Sequence, residues 1–204
     1  LKETLDIFNG QSKYPLRFAW VAMIESLRRS KKLEADHVFT EKDFGFLFSP
    51  MLNAQSRVFG DASAGVETFL STSTAEVREK AEFLISVNEK RKQISNESFA
   101  RANETDHTGK SVIVIRDDLL GDGFIGLVAG KITEKYNRPS VVFTEGHDGV
   151  LKGSARCPEG FNLIENLDVV RDLTIKMGGH SGAAGLSIPT KNLDEFTERL
   201  TKQF

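Results

Sequence analysis

Apolar residues recur every three to four positions through much of the first half of the chain, which is the spacing of one face of a helix. Over residues 15–30, PLRFAWVAMIESLRRS, this pattern predicts a helix with Pro15 in its first turn. Thr40 followed by Asp43 is typical of the start of another helix. A longer pattern, from residue 74 to about 103, predicts a third helix with an apolar stripe formed by Val77, Ala81, Leu84 and Val87.

The stripe of this third helix thins beyond Asn88, where the sequence becomes mostly polar. A helix that turns polar late in its course often connects two domains. The polar stretch NETDHTGK, residues 103–110, then ends it. We therefore predict a mainly helical segment over 1–72, a bridging helix over 73–105 and a second domain over 106–204.

The second domain alternates short β-branched runs with amphipathic stretches. The runs predict strands over 111–116, 138–145, 149–156 and 183–189. The amphipathic stretches predict helices over 123–136, 161–177 and 192–204. This alternation predicts an α/β fold class, in which helices cover a sheet.

Composition narrows the classes of function. The 204 residues are 39% hydrophobic and carry a formal net charge of −2, as in a globular protein with a core. Near-neutral charge excludes binding of nucleic acid by bulk electrostatics, so a few placed residues would have to bind any phosphate. The single cysteine, Cys157, excludes an internal disulfide and favours a reducing compartment, the cytoplasm. No apolar run reaches the ~18 residues of a membrane span, so we expect no membrane partner.

The stretch GGHSGAAG begins at Gly178 and is the first candidate site. Glycines let backbone N–H groups approach an anion, and a neighbouring histidine can donate to a phosphate oxygen or act as an acid. Gly178, Gly179 and His180 are therefore candidate phosphate ligands. The same letters also fit the end of a helix, with Gly178 as its cap and His180 exposed.

Two further pairs of residues suit phosphate. Ser154 and Arg156 are two apart and point to one face of an extended strand, where a hydroxyl and a guanidinium suit a terminal phosphate. Asn53 and Arg57 are one helical turn apart and could bind a phosphodiester backbone. Taken alone, a solvated strand edge explains the first pair more simply, and local capping of a short helix explains the second equally well.

Two other motifs give weaker evidence for a functional site. Gly121, Gly123 and Gly126 fit the G-x-G-x-x-G pattern of a dinucleotide site, but no acidic residue stands at the end of a following strand. Tight helix–sheet packing explains these glycines better than NAD does. Asp36 and His37 lack the further Asp, His or Cys residues that a metal site needs, so we interpret them as loop residues and expect no metal ligands.

Together these stretches resemble the C-terminal part of a DHH-superfamily phosphoesterase, of the RecJ-type single-strand-specific exonucleases. The resemblance covers about residues 40–190. Its motifs are SPMLNAQSRVFGDAS, the long charged helix, GFIGLVAGKITEKYNRPSVVF, GSARC and, most specifically, GGHSGAAG. It implies the tail of a catalytic domain, a bridging helix and a DHH-associated domain.

The resemblance also implies roles for the candidate residues. Gly178, Gly179 and His180 would bind the phosphate next to the scissile bond, with His180 as the catalytic candidate. A second group would bind the rest of the strand: Ser154 and Arg156 at the 5′-terminal phosphate, and Asn53 and Arg57 at the backbone. The implied activity is 5′→3′ hydrolysis of single-stranded DNA in repair and recombination. A single-strand-binding protein is the additional partner that such families suggest.

Two departures from the family pattern matter. The family has a Trp-His pair where this chain has Leu120 and Gly121. The aspartate-rich motifs and the Asp-His-His signature that bind two Mn²⁺ or Mg²⁺ ions are also absent from these 204 residues. The chain is then a fragment, the partner of a separate metal-bearing chain, or a metal-free homologue. We expect it to be inactive alone, with the metals bound by residues outside it.

Two alternatives to the exonuclease stay open. A phosphodiesterase of the same superfamily, acting on short oligonucleotides or cyclic dinucleotides, shares the Gly-Gly-His motif but usually lacks the long helix. A non-catalytic nucleic-acid-binding module would keep the phosphate ligands alone. Under each reading we expect Arg156 and His180 to share one site, with a crossover helix bringing the 183–188 strand to the strand that carries Arg156.

Overall fold

The computed structural model describes residues 2–204, and the chain divides into two compact units between Gln93 and Ile94. The first unit is built of helices. Its elements are α1 (Lys2–Phe8), α2 (Phe18–Arg29), α3 (Glu41–Asp43), a π-helical turn (Phe44–Phe48), α4 (Ser49–Leu52), α5 (Ala54–Phe59), α6 (Ser63–Leu70) and the greater part of α7 (Thr74–Ala102).

Of the two predicted helix starts, the one at Thr40 is confirmed and the one at Pro15 is wrong. The helix expected over 15–30 is α2, but Arg17 has extended backbone angles, so Pro15 lies before the helix and not in its first turn. The start expected at Thr40 is confirmed. Its backbone N–H donates to Asp43 Oδ2 at 2.7 Å, and the Asp43 N–H donates back to the Thr40 carbonyl at 3.1 Å. This reciprocal pair satisfies two groups that a helix start otherwise leaves without partners.

Aromatic side chains form the centre of the first unit's core. The ring centroid of Phe8 lies 4.9 Å from that of Phe44 and 5.3 Å from that of Trp20. Trp20 in turn lies 5.0 Å from Phe48. The π-helical turn places Phe44 and Phe48 in this core, while Phe46 between them is 84% exposed. The core thereby anchors the segment that leads into α4 and α5.

The long helix expected from residue 74 to about 103 is confirmed as α7, of 29 residues. Its predicted apolar stripe is buried in the first unit, where Val77, Ala81 and Leu84 are each 0% exposed. The last turns of α7 belong to the second unit. The predicted limits of the three regions, 1–72, 73–105 and 106–204, remain predictions.

The second unit is a sheet with helices on both faces. After α7 its elements are β1 (Ile113–Arg116), α8 (Asp122–Tyr136), β2 (Ser140–Glu145), β3 (Val150–Arg156), α9 (Leu163–Leu167), a 3₁₀ turn (Asp168–Leu173), β4 (Lys176–His180), β5 (Ala183–Pro189), a 3₁₀ turn (Thr190–Asn192) and α10 (Leu193–Gln203). The predicted α/β fold class is confirmed, and so are the strands predicted over 111–116, 138–145, 149–156 and 183–189, to within two residues at their starts.

The sheet has five strands in the order β1-β2-β3-β5-β4. β1 and β2 are parallel and are joined by α8, whereas the other neighbouring pairs are antiparallel. The β1–α8–β2 unit follows the usual rule that a parallel pair needs a helical crossover. β4 is therefore an edge strand, next to β5.

One face of the sheet, which we call the α10 face, buries the apolar core. Phe143 on β2 lies 5.3 Å, centroid to centroid, from Phe196 on α10, and both are 0% exposed. Leu151, Leu186 and Ile188 complete the strand side of this core, together with residues of α9 and of the 3₁₀ turn that follows it.

The opposite face, which we call the α8 face, is covered by α8 over β2 and β3. The Ser140 hydroxyl of β2 donates to the Ala129 carbonyl of α8 at 2.8 Å, and Thr144 of β2 donates to the Leu120 carbonyl at 2.5 Å. On its outer side α8 meets the end of α7, where Lys131 Nζ donates to Asn96 Oδ1 at 2.6 Å. These polar contacts fix α8 over one half of the sheet.

The helix predicted over 161–177 is wrong in its second half. Only Leu163–Leu167 is α-helical, a 3₁₀ turn follows, and Lys176 begins β4. The apolar residues of this segment reach the core from a tight turn as well as from a helix, since Val170 is 0% and Leu173 is 8% exposed. The reading of Gly178 as a helix cap is wrong for the same reason, because Gly178 lies inside β4.

Candidate nucleic-acid interface

Three neighbouring strands bring the predicted phosphate ligands of the second unit together. In the register of the sheet Arg156 on β3 pairs with Ala183 on β5, and Ala183 pairs with His180 on β4. Arg156 and His180 thus lie in one row, two strand spacings or about 10 Å apart at the backbone. They are 24 positions apart in sequence, and pairing across β5 alone brings them together.

A second row lies directly beside the first. Ser154 on β3 pairs with Gly185 on β5, which pairs with Gly178 on β4. Alternate residues of a strand share a face, and residues directly opposite each other share it too. Both rows therefore lie on the α8 face.

The route between the strands differs from the prediction. A crossover helix would make β3 and β5 parallel, whereas they are antiparallel neighbours. The connection from β3 runs through α9 and then through β4, which forms a hairpin with β5. The hairpin, and not a crossover, sets His180 in line with Arg156.

The guanidinium of Arg156 is held over the sheet by its own strand. Its Nη1 donates to Ser154 Oγ at 3.0 Å and to the Ala155 carbonyl at 2.7 Å. Gly126 of α8 passes directly above, since a Cβ added there would lie 2.8 Å from Arg156 Nη2 and 3.0 Å from Ser154 Oγ. A glycine at this turn of α8 thus makes room for the pair. The packing explanation of the glycine-rich stretch holds at Gly126, with a polar neighbour that the sequence does not reveal.

Gly178 and Gly179 are glycines for different reasons. A Cβ on Gly179 would lie 2.2 Å from the Ala183 carbonyl oxygen and 2.6 Å from Ala184 Cα, so the neighbouring strand itself excludes any side chain. A Cβ on Gly178 would meet nothing within 4 Å, and the same is true of Gly185 opposite. Only Gly178, of the two adjacent glycines, faces the open surface beside His180.

His180 ends β4 and is exposed. The backbone N–H of Gly182, in the turn between the two strands, donates to His180 Nδ1 at 3.2 Å. This assignment makes Nδ1 an acceptor, so the neutral ring carries its proton on Nε2. The ring is thus oriented with Nε2 as the donor that remains for a ligand.

Asn53 and Arg57 lie in the first unit and are both exposed. Asn53 is the residue before α5, and the Arg57 N–H donates to its carbonyl at 3.3 Å, which is one helical turn. Burial and, to a smaller extent, the nearby charge of Arg57 lower the pKa of the guanidinium of Arg91 on α7. Lys90 lies over the ring of Phe59, 5.1 Å from its centroid. This surface adds cations and an aromatic ring that the sequence reading did not single out.

Two other sequence features take no part in these surfaces. Cys157 is half-buried, its Sγ donates to the Ser181 carbonyl at 3.1 Å, and burial raises the pKa of its thiol. Asp36 and His37 lie in a loop, as predicted, where His37 Nε2 is 3.1 Å from Asp43 Oδ1.

Among residues 2–204, no group of three or more His, Cys, Asp or Glu side chains could hold a metal ion. No helix in that range is long and apolar enough to cross a membrane.

Comparison with known proteins connects this geometry to a family. The DHHA1 domain family matches residues 109–204. The single-stranded-DNA-specific exonuclease RecJ of Salmonella typhimurium is 34% identical over 171 residues, which is 77% of this chain and 29% of that protein. RecJ of Bacillus subtilis is 29% identical over 193 residues, which is 88% of this chain and 24% of that protein.

Solved structures agree in fold. The crystal structure of RecJ from Thermus thermophilus in complex with Mg²⁺ superposes with a TM-score of 0.82 at 23% identity, over 98% of this chain and 30% of that one. A structure of exonuclease RecJ bound to manganese gives a TM-score of 0.76 at 23% identity, over 98% of this chain and 48% of that one. The chain therefore spans less than a third of the length of the curated relatives quoted above.

Proposed function

We propose that this chain binds single-stranded DNA as the substrate-binding part of a metal-dependent 5′→3′ exonuclease. The premise is that residues 109–204 belong to the DHHA1 domain family and that the chain corresponds to the C-terminal region of RecJ-type exonucleases. The observation that carries the proposal is the row formed by Arg156, Ala183 and His180 on the α8 face. A guanidinium and an imidazole on either side of one small residue, Ala183, suit two phosphates of one strand.

Within this proposal Arg156 binds the 5′-terminal phosphate. Ser154 fixes the guanidinium through the 3.0 Å hydrogen bond and adds a hydroxyl of its own. A terminal phosphate carries more charge than an internal one, so a guanidinium discriminates between them by electrostatics as well as by paired hydrogen bonds.

His180 binds the next phosphate, at the bond to be cleaved. Its Nε2 donates to a phosphate oxygen, while the turn holds Nδ1 through Gly182. Gly178 leaves the strand free to approach the sheet, because no side chain rises there. Gly179 contributes only through its backbone, since β5 occupies the space where its side chain would be.

The first unit carries candidate contacts of its own for a DNA backbone. Asn53 and Arg57 supply an amide and a guanidinium one turn apart, and Arg91 adds a second guanidinium beside Arg57. Phe59 is 55% exposed and offers a surface on which a base can stack.

Hydrolysis itself requires groups outside this chain. In RecJ-type enzymes the Mg²⁺ or Mn²⁺ would activate water and stabilise the leaving oxygen. Residues 2–204 supply no cluster that fits such an ion, so no step of the proposal passes through a metal here. We accordingly expect the 204 residues alone not to hydrolyse DNA. A cytoplasmic location and a single-strand-binding protein as partner belong to the same proposal.

Two alternatives have less support. An oligonucleotide or cyclic-dinucleotide phosphodiesterase would share the Gly-Gly-His motif of residues 178–180, but the 29-residue α7 favours the exonuclease. A non-catalytic binding module would bind DNA equally well, and only the full reading frame distinguishes it from an enzyme.

The test is binding of oligodeoxythymidylates that differ only in the 5′ end, measured by fluorescence anisotropy. We expect Arg156→Ala to weaken binding of the 5′-phosphorylated strand about tenfold to a hundredfold and binding of the 5′-hydroxyl strand much less, because one charge-assisted contact is lost. Arg138→Ala is the matched control, since Arg138 is an exposed arginine of the same unit that lies outside the two rows. Equal losses for both DNA ends would remove the role of Arg156 in end recognition.

A further inference from the structure

A third row of the α8 face extends the two that carry the predicted ligands. Lys152 on β3 pairs with Ser187 on β5, and Ser187 pairs with Lys176 on β4. The three rows thus form a grid with a basic group or an imidazole at each corner. Its five remaining positions are small: Ser154, Gly178, Ala183, Gly185 and Ser187.

The strand β4 connects two of these corners without an obstacle. Lys176 and His180 are four residues apart, or about 13 Å along the strand. On this face only Gly178 lies between them, and a Cβ there would meet nothing within 4 Å. The separation exceeds what one phosphate group can span, so the two side chains would contact different phosphates of a bound strand.

The two lysines of the third row differ in their partners. Lys152 Nζ forms an ion pair with Asp122, at the start of α8, which neutralises its charge and places a carboxylate at that corner. Across the described range, residues 2–204, no carboxylate lies within ion-pair distance of Lys176. On the β4 side the charge of Lys176 therefore attracts an anionic strand, whereas on the β3 side Asp122 already neutralises the charge of Lys152.

We propose that Lys176 binds a further backbone phosphate of the strand whose scissile phosphate lies at His180, so that the strand leaves the site along β4 across Gly178. This inference rests on the proposed function, because it assumes that the row of Arg156 and His180 binds DNA. It adds a contact that acts only on strands longer than the two phosphates of that row.

The test uses strand length. Lys176→Gln, Lys152→Gln and Lys191→Gln are compared in the 204-residue chain with 5′-phosphorylated dT2 and dT8. Each variant removes one positive charge, and Lys191 lies in the 3₁₀ turn after β5, outside the grid. We expect Lys176→Gln to weaken dT8 binding about three- to tenfold and to leave dT2 binding unchanged.

Salt dependence provides a second readout. Loss of one phosphate contact on a single strand reduces the slope of log K against log salt by about 0.7, and we expect this change for Lys176→Gln only. Thermal unfolding followed by circular dichroism checks that each variant keeps the fold. Equal effects of Lys176→Gln and Lys152→Gln, or an equal effect of Lys176→Gln on dT2 and dT8, would overturn the inference.

Failure of the inference and failure of the proposed function give different results. If the parent chain binds neither dT2 nor dT8, the proposed function fails and the inference with it. If the parent binds both and Arg156→Ala abolishes the preference for a 5′-phosphate, but Lys176→Gln matches Lys191→Gln, only the role of Lys176 is wrong.

Discussion

The two faces of β3, β5 and β4 use small residues for opposite reasons. On the α10 face Gly153 lies under Phe143, where a Cβ would come within 2.5 Å of the ring, and Gly179 lies against the backbone of β5. On the α8 face Gly178 and Gly185 lie in open space. On the α10 face a packed neighbour leaves no room for a side chain. On the α8 face no contact within the fold excludes one.

The difference separates residues that serve stability from residues that serve recognition. Steric exclusion by a packed neighbour predicts that substitution destabilises the fold. Empty space beside exposed cationic groups predicts that substitution leaves the fold intact and affects only what binds there. The two faces alternate residue by residue along β4, so neighbouring positions should respond in opposite ways.

The largest expected effect is that of Gly179→Ala on stability. The new Cβ would overlap the Ala183 carbonyl oxygen, which belongs to the backbone of β5 and cannot move alone. We expect the free energy of unfolding to fall by about 3 kcal/mol, measured by urea denaturation. Gly178→Ala, one residue earlier, is the matched control and should stay within about 0.5 kcal/mol of the parent. Similar losses in the two variants would contradict the distinction between the faces.

The next effect is on binding and concerns His180→Ala. His180 is exposed at the end of β4, and under the proposed function its loss removes one hydrogen bond to phosphate without disturbing the core. We expect binding of 5′-phosphorylated and 5′-hydroxyl dT8 to weaken by about tenfold each, since both strands have an internal phosphate. His147→Ala, in the loop before β3, controls for loss of an imidazole elsewhere. A loss confined to one DNA end would show that His180 reads the terminus.

A smaller effect is expected for Gly178→Val, which tests whether the open space above Gly178 on the α8 face is needed for binding. A β-branched side chain suits an edge strand, so the fold should tolerate it. The same side chain would rise between Lys176 and His180 and hinder the strand. We expect dT8 binding to weaken by about threefold with an unchanged unfolding midpoint, because contacts are weakened and not removed. Unchanged binding would indicate that DNA does not cross β4 at this position.

The smallest effect concerns Gly126, on the covered half of the α8 face. In Gly126→Ala the new Cβ would displace Arg156 Nη2, the far end of a flexible side chain, so the fold should tolerate it. Alanine in place of glycine favours the helix by up to about 1 kcal/mol, and we expect stability to be equal or higher. The preference for a 5′-phosphate should fall about twofold, in the anisotropy assay used for Arg156→Ala. Gly130→Ala, where a Cβ meets nothing within 4 Å, is the control helix position.

Much of the fold could be predicted from the sequence because its periodicities are strong. The strand over 183–189 and the helix over 74–103 carry regular apolar patterns, and both are found almost at the predicted limits. β4 could not be predicted, because KMGGH has one apolar residue, no β-branched residue and two glycines. Such an edge strand is specified by pairing with β5 rather than by its own residues.

The candidate site could be predicted only in part. Residue types identified Ser154, Arg156 and His180, and the register places them on one face. The difference between Gly178 and Gly179 depends on which face of β4 each residue lies on. Two adjacent glycines in a sequence do not reveal this. Lys176 could not be singled out either, because its relevance depends on the absence of an acidic partner in three dimensions.

The hairpin turn has a consequence for errors in folding. A shift of β4 by one residue against β5 would exchange Gly178 and Gly179 without changing the local sequence, and would turn His180 toward the core and Met177 toward solvent. The two-residue turn of Ser181 and Gly182 joins the paired residues His180 and Ala183 and so leaves no slack for this shift. The short turn thus fixes the register of β4 and with it the side chains that the binding surface presents. Inserting a single residue into it would disable His180 without altering any residue of the grid.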